Sequence, residues 1–168
     1  GYTIDGERVG SLEDETFSAD GAEVIIHGVS VHPGFAKDKL VNAIKIAGEV
    51  LDALPKDRLS PETTSGREGF IHPVHITGNG EKATIQFILR DFTRDGLAQH
   101  GNTLKSIVNE VLQRHPQASS EVHIKEQYRN MKEVLDLHPQ VADFARQAIE
   151  RTGLQVHRSS IRGGTDGS

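Results

Sequence analysis

Residues 74–90 read Val-His-Ile-Thr-Gly-Asn-Gly-Glu-Lys-Ala-Thr-Ile-Gln-Phe-Ile-Leu-Arg. Ala83, Ile85, Phe87 and Leu89 alternate with Thr84, Gln86, Ile88 and Arg90, the period of a strand with one buried face. Gly78-Asn79-Gly80 just ahead predicts a hairpin turn, since glycine and asparagine tolerate positive φ. Val74-His75-Ile76, entered from Gly69-Phe70-Ile71, supplies the partner strand. The centre of the chain is therefore an antiparallel hairpin.

Working toward the N-terminus, a strand starts at Asp20 with Ala22, Val24 and Ile26 on one face, and Val31-His32-Pro33-Gly34 stops it. A helix is expected from about Ala36 to Leu54, on the stripe Leu40, Ala43, Ile44, Ala47, Val50, Leu51 and Leu54, with Pro55 beyond it. Toward the C-terminus, a second helix begins near Thr93, capped by Thr93 or Asp91. Its stripe is Leu97, Leu104, Ile107, Val108, Val111 and Leu112; Glu121 to Tyr128 then alternates again, burying Val122 and Ile124. The order strand, helix, strand, strand, helix, strand is that of an α+β, ferredoxin-like sandwich. Its antiparallel four-stranded sheet carries both helices on one face. At ~110 residues such a unit buries enough apolar surface for a core of its own.

Two flanks remain. Residues 1–16 read as a strand end and a polar hairpin, and 132–168 as a third helix opening at Pro139, a short strand from Leu154 to Ile161 and a glycine loop. That helix has the stripe Val141, Phe144, Ala145, Ala148 and Ile149, with Gly153 as its stop. They are expected to be pieces of another domain into which the sandwich, 17–131, is inserted. Glycines at both extremes and the missing initiator Met support the expectation that the ends are cut edges.

Composition narrows the function. The 168 residues hold 19 Lys and Arg against 24 Asp and Glu, a net charge of −5, which disfavours a phosphate-neutralising surface. Interleaved aromatics for base stacking are missing too: only Phe87 and Tyr128 are candidates, and Phe87 faces inward. No cysteine is present, so disulfides, thiolate metal sites and cysteine nucleophiles are excluded. No apolar run approaches the ~20 residues of a membrane span, and no signal peptide is visible, so a cytoplasmic location is expected.

Four constellations could carry chemistry. Tyr2-Thr3-Ile4-Asp5-Gly6 ends an apolar run on a carboxylate, a common metal-ligand position and equally an ordinary turn aspartate. His32 sits at a strand-to-helix corner, where an exposed imidazole can donate to an anion or a polarised carbonyl, or do nothing. Arg90 projects from the polar face of the hairpin and can bind a carboxylate or pair with a neighbouring acid. Arg162-Gly163-Gly164-Thr165-Asp166-Gly167 can turn backbone N–H groups toward a ligand, but lacks the spacing of a phosphate loop. The nine histidines form no metal cluster by spacing, because Pro73 separates His72 from His75 and no HExxH occurs; apart from His32 they are expected as scattered surface residues of strands and helices.

In this order the runs YTIDG (2–6), VHPGFAK (31–37), LVNAI (40–44), ILRDF (88–92), YRNM (128–131) and IRGGTDG (161–167) resemble the peptidase T family of tripeptide aminopeptidases, in the dinuclear-zinc aminoacylase and carboxypeptidase superfamily. The resemblance implies a lid and dimerisation domain set into a zinc-binding catalytic domain. It implies Asp5 as a zinc ligand, His32 as the oxyanion-stabilising catalytic residue, and Arg90, Arg162, Gly164 and Thr165 as substrate-binding residues. The complete enzyme would hold two zinc ions, act on tripeptides and form a homodimer through the lid. The family's other zinc ligands and its glutamate base have no counterpart here, so this fragment alone is expected to bind no zinc and to be inactive. From the residues alone, a free-standing ferredoxin-like module for small-ligand binding or regulation stays open.

Overall fold

The computed structural model describes residues 1–4 and 8–166. Its elements are β1 (Ser11–Thr16), β2 (Ser18–His27), α1 (Ala43–Asp52), β3 (Phe70–Gly78), β4 (Lys82–Asp91), α2 (Arg94–Leu112), β5 (Ser119–Tyr128), α3 (Lys132–Leu135), α4 (Gln140–Arg151) and β6 (His157–Ile161). One sheet has the order β3-β4-β2-β5, every neighbour antiparallel. That is the ferredoxin-like order, with the two crossovers α1 and α2 on one face.

The alternation read from β4 sets the inside. Ala83, Ile85, Phe87 and Leu89 are buried with Ala22, Val24 and Ile26 of β2, against Ile46, Ala47 and Val50 of α1 and Leu97, Leu104, Val108 and Val111 of α2. Each large member contributes about 1.5–3 kcal/mol of apolar burial. Val122 and Ile124 of the edge strand β5 are half-buried against this core.

The hairpin turn closes differently from expectation. Positive φ at described glycines occurs at Gly10, Gly66 and Gly153, and none is in the 78–80 turn. Asn79 closes that turn with its side chain, Oδ1 accepting from Glu81 N (2.9 Å) and Lys82 N (3.0 Å). The start of α1 also departs from its periodicity. Asp38 takes φ +58°, which no right-handed helix can pass through, and Val41 is held in a bridge to Val29. Asn42 then caps the helix, Oδ1 accepting from Ile44 N (2.9 Å). Leu40 and Ile44, expected in the buried stripe, are exposed, and Ile46 fills the core instead. For α2 the expected cap is present, Thr93 Oγ1 accepting from Gly96 N (3.0 Å).

The flanks pair with each other. Residues 11–16, expected in a polar hairpin, form β1, parallel to β6, with Ser11 opposite His157 and Leu12 opposite Arg158. α4 buries Ala142, whereas Phe144 of the expected stripe is 61% exposed. Gly153 (φ +80°) follows the helix end as expected.

A polar knot joins the flanks to the sandwich. Asn130 is buried; its Oδ1 accepts from Thr16 N (3.1 Å) and Lys132 N (3.0 Å), and its Nδ2 donates to Phe92 O (3.0 Å). Phe17, fully buried, packs edge-on to Phe70 (5.7 Å) and against Phe92 (4.4 Å), while its N–H meets Ile161 O and Gly163 O. Arg67 donates to both carboxylate oxygens of Glu15 (2.7 and 2.8 Å), whose carboxyl is held below its ordinary pKa chiefly by that bond.

Candidate functional site

Register places one row across the sheet: Phe70 of β3 opposite Arg90 of β4, Arg90 opposite Ala19 of β2, and Ala19 opposite Tyr128 of β5. Directly opposed residues share a face, and Arg90 alternates with the buried Leu89, so the row lies on the face away from the helices. Tyr128 reaches that face through a bulge. Asp20 pairs with Glu126 and Ala19 with Tyr128, leaving Gln127 as the extra residue. Without it, the alternation of Val122 and Ile124 would carry residue 128 to the helix side.

Arg90 and Tyr128 form a unit. The guanidinium carbon lies 4.9 Å from the ring centroid and Nη1 donates to the phenol oxygen. Burial pushes the Tyr128 hydroxyl above its ordinary pKa, opposed by the Arg90 charge, so the phenol is neutral at physiological pH. Gly164 lies against the same ring, and a Cβ there would fall 2.8 Å from Tyr128 Cζ, so only glycine lets the loop approach. The sheet end and the glycine loop, read separately in the sequence, thus meet at Tyr128.

Arg162 stacks near Phe17 (5.2 Å) and Phe70 (5.9 Å). Its Nη1 donates to Gly66 O (3.0 Å) and Glu68 O (2.8 Å), and its Nη2 to Thr64 Oγ1 (2.9 Å). Its head is therefore committed to the 64–68 connection. Thr165 is half-buried in the same loop. Asp5 lies outside the described residues. Among the described residues no group of three His, Asp or Glu side chains could hold a metal ion.

His32 is elsewhere. It caps a single 3₁₀ turn, Pro33–Phe35, at the hairpin end of the sheet, where Gly28 N bonds Glu81 O and Val29 bridges Val41. His27 pairs with Lys82 at that end and Ala19 with Arg90 at the other, about 27 Å apart along β2 at ~3.4 Å per residue. His32 Nδ1 accepts from Gly34 N (3.1 Å), so the neutral ring carries its proton on Nε2. The exposed imidazole thus presents an N–H donor to whatever faces it.

Beneath Arg90 lies a second pair that periodicity did not mark. His100, 7% exposed, bonds through Nε2 to Asp91 Oδ2 (3.1 Å). Burial holds the His100 pKa below its ordinary 6.5, with Asp91 opposing. A depressed histidine binds its proton less readily folded than unfolded, so stability falls as pH drops through about 6.5. Melting temperature should decline from pH 7.5 to 5.5, and His100→Gln should remove that component of the decline.

The described residues thus form a four-stranded α+β sandwich with the Arg90–Tyr128 pair at one end of its sheet and the His32 turn at the other. The chain belongs to the peptidase dimerisation domain family, whose model matches residues 15–118. It is 43% identical over 167 residues to a peptidase T of Exiguobacterium sibiricum, covering 99% of this chain and 40% of that protein. It thus spans about two fifths of the length of such curated relatives. The fold is shared with an aminopeptidase of Bacillus cereus (TM-score 0.76, 20% identity, 97% of this chain and 43% of that one). A tripeptidase of Staphylococcus aureus matches equally well (TM-score 0.76, 15% identity, 95% and 42%). No helix among the described residues is long and apolar enough to cross a membrane.

Proposed function

We propose that this chain is the lid and dimerisation segment of a zinc-dependent tripeptide aminopeptidase. The observation that carries the reading is the 43% identity to a peptidase T across nearly the whole chain, flanks included. The match covers 99% of this chain, and so takes in the flanks that a free-standing sandwich module would not need. On this reading residues 1–16 and 132–168 belong to the catalytic domain and 17–131 to the lid, and the homodimer forms through the lid.

The substrate is a short peptide. Arg90 takes its terminal carboxylate, Gly164 and Thr165 line the turn beside it, and Arg162 holds that turn on the 64–68 connection. His32 Nε2–H stabilises the oxyanion that develops on the scissile carbonyl. A tripeptide spans only ~11 Å fully extended, far less than the sheet length between Arg90 and the His32 end. The two groups therefore serve one substrate only when His32 comes from the partner subunit. Zinc belongs to the complete enzyme, with Asp5 as one of its ligands.

His32→Ala in the complete enzyme should lower kcat by ~100-fold or more with little change in KM, the scale for one lost oxyanion donor. Mixing it with an Arg90→Ala variant should restore part of the activity, since one site of the mixed dimer regains both groups. Unchanged turnover of His32→Ala would remove the oxyanion role, and absent restoration would remove the exchange between subunits.

A further inference from the structure

We propose that Tyr128 is a second carboxylate donor beside Arg90, so that the peptide terminus is gripped by a guanidinium and a phenol O–H together. The proposal rests on the carboxylate-binding role of Arg90 just given, and adds a residue to it.

The bulge is the first argument. An unpaired residue in β5 interrupts the ladder, and here its effect is to turn Tyr128 from the helix side to the face that bears Arg90. The second is hydrogen-bond direction. Arg90 Nη1 donates to the phenol oxygen, and a guanidinium has no lone pair with which to accept in return. The hydroxyl hydrogen must therefore point away from Arg90, and a carboxylate meeting Arg90 is an acceptor beside it. The third is protonation: burial keeps the hydroxyl neutral, so the donor is present at physiological pH. Both side chains are half-buried, which strengthens a bond to an anion relative to one made in open water. The fourth is the division of labour between the arginines. Arg162 has both Nη atoms bonded to the 64–68 connection, whereas Arg90 spends Nη1 on the phenol itself. Gly164 packs on the hydroxyl end of the ring with no side chain to add: a Cβ there would lie 2.8 Å from Tyr128 Cζ and 2.9 Å from its Oη.

Tyr128→Phe keeps the ring under Arg90 and deletes only the O–H, so it tests the donor without emptying the site. In the complete enzyme, KM for a tripeptide with a free C-terminal carboxylate should rise about 10-fold or more, the scale for a hydrogen bond to a charged group. For the same tripeptide amidated at its C-terminus KM should stay within two-fold of the unmutated enzyme's value, and kcat should be nearly unchanged for both. Equal KM increases for acid and amide would overturn the proposal and make Tyr128 a support for Arg90. An unaltered KM for the acid would overturn it too. Arg90→Ala separates the underlying reading: if that variant keeps the preference for acid over amide, the Arg90 clamp itself is wrong. If it loses the preference while Tyr128→Phe keeps it, only the phenol role falls.

Discussion

Asn130→Ala should lower the unfolding free energy by about 3–5 kcal/mol, because buried backbone groups left without partners cost ~1–3 kcal/mol each. The groups concerned are the N–H of Thr16, the N–H of Lys132 and the carbonyl of Phe92, which belong to three different segments. The asparagine side chain is the one object that satisfies all three at once, with an acceptor shared by two donors and a donor for the carbonyl. Asn130→Asp keeps the acceptor and loses the donor, while placing a carboxylate beside Glu15, so it should fall between the two and worsen as pH rises. Urea unfolding followed by circular dichroism measures both. A loss under 1 kcal/mol for the alanine variant would mean that water replaces the side chain.

Phe17→Ala is expected to cost a similar ~3–5 kcal/mol, the usual range for removing a fully buried phenylalanine. For a chain of this length that corresponds to a fall in melting temperature of about 10 °C. Phe17 has no solvent exposure, and three side chains use its ring: Phe70 at its edge, Phe92 against its face and Arg162 beside it. The loss should therefore show locally as well as globally. Amide exchange in residues 161–166 should accelerate more than exchange in α1, which packs in a core cluster that does not include Phe17. Uniform acceleration would mean that the ring serves the whole core rather than the glycine loop.

The sandwich was legible because its strands and helices differ in period. The alternation of 83–90 assigns each residue of β4 to a face, which put Arg90 on the open side and Leu89 on the buried side. What could not be read was whatever a single side chain or a single extra residue decides. The α1 stripe extends naturally back to Leu40, but one left-handed residue at Asp38 and one cap at Asn42 keep residues 36–42, about two turns, out of the helix. β1 reads Ser-Leu-Glu-Asp-Glu-Thr, too polar for a strand by pattern, and forms because β6, remote in sequence, pairs with it. At the site, Arg90 and Gly164 carried local signals, a guanidinium at a strand end and a glycine pair. Tyr128 carried only its aromatic ring and its place at the head of the YRNM run, since the bulge that turns it toward Arg90 is a property of two strands and shows only in their register. His100, expected at the surface with the other histidines, is buried instead, because it lies on the apolar face of α2 and finds Asp91 as a partner there.

The sandwich is tied to its flanks at one end only of its sheet. The chain enters from β1 at Thr16 and leaves after Tyr128 through Asn130, and β6 returns beside β1 with Ile161 opposite Thr16. Asn130 joins entry to exit directly, its Oδ1 accepting from Thr16 N and from Lys132 N. These passages gather at the end of β2 where Ala19 faces Arg90, whereas the opposite end, where His27 faces Lys82, lies about 27 Å away. Any tilt of the sandwich about that joint therefore displaces the His32 turn farther than it displaces Arg90 and Tyr128, as the tip of a lever moves farther than the part beside its fulcrum.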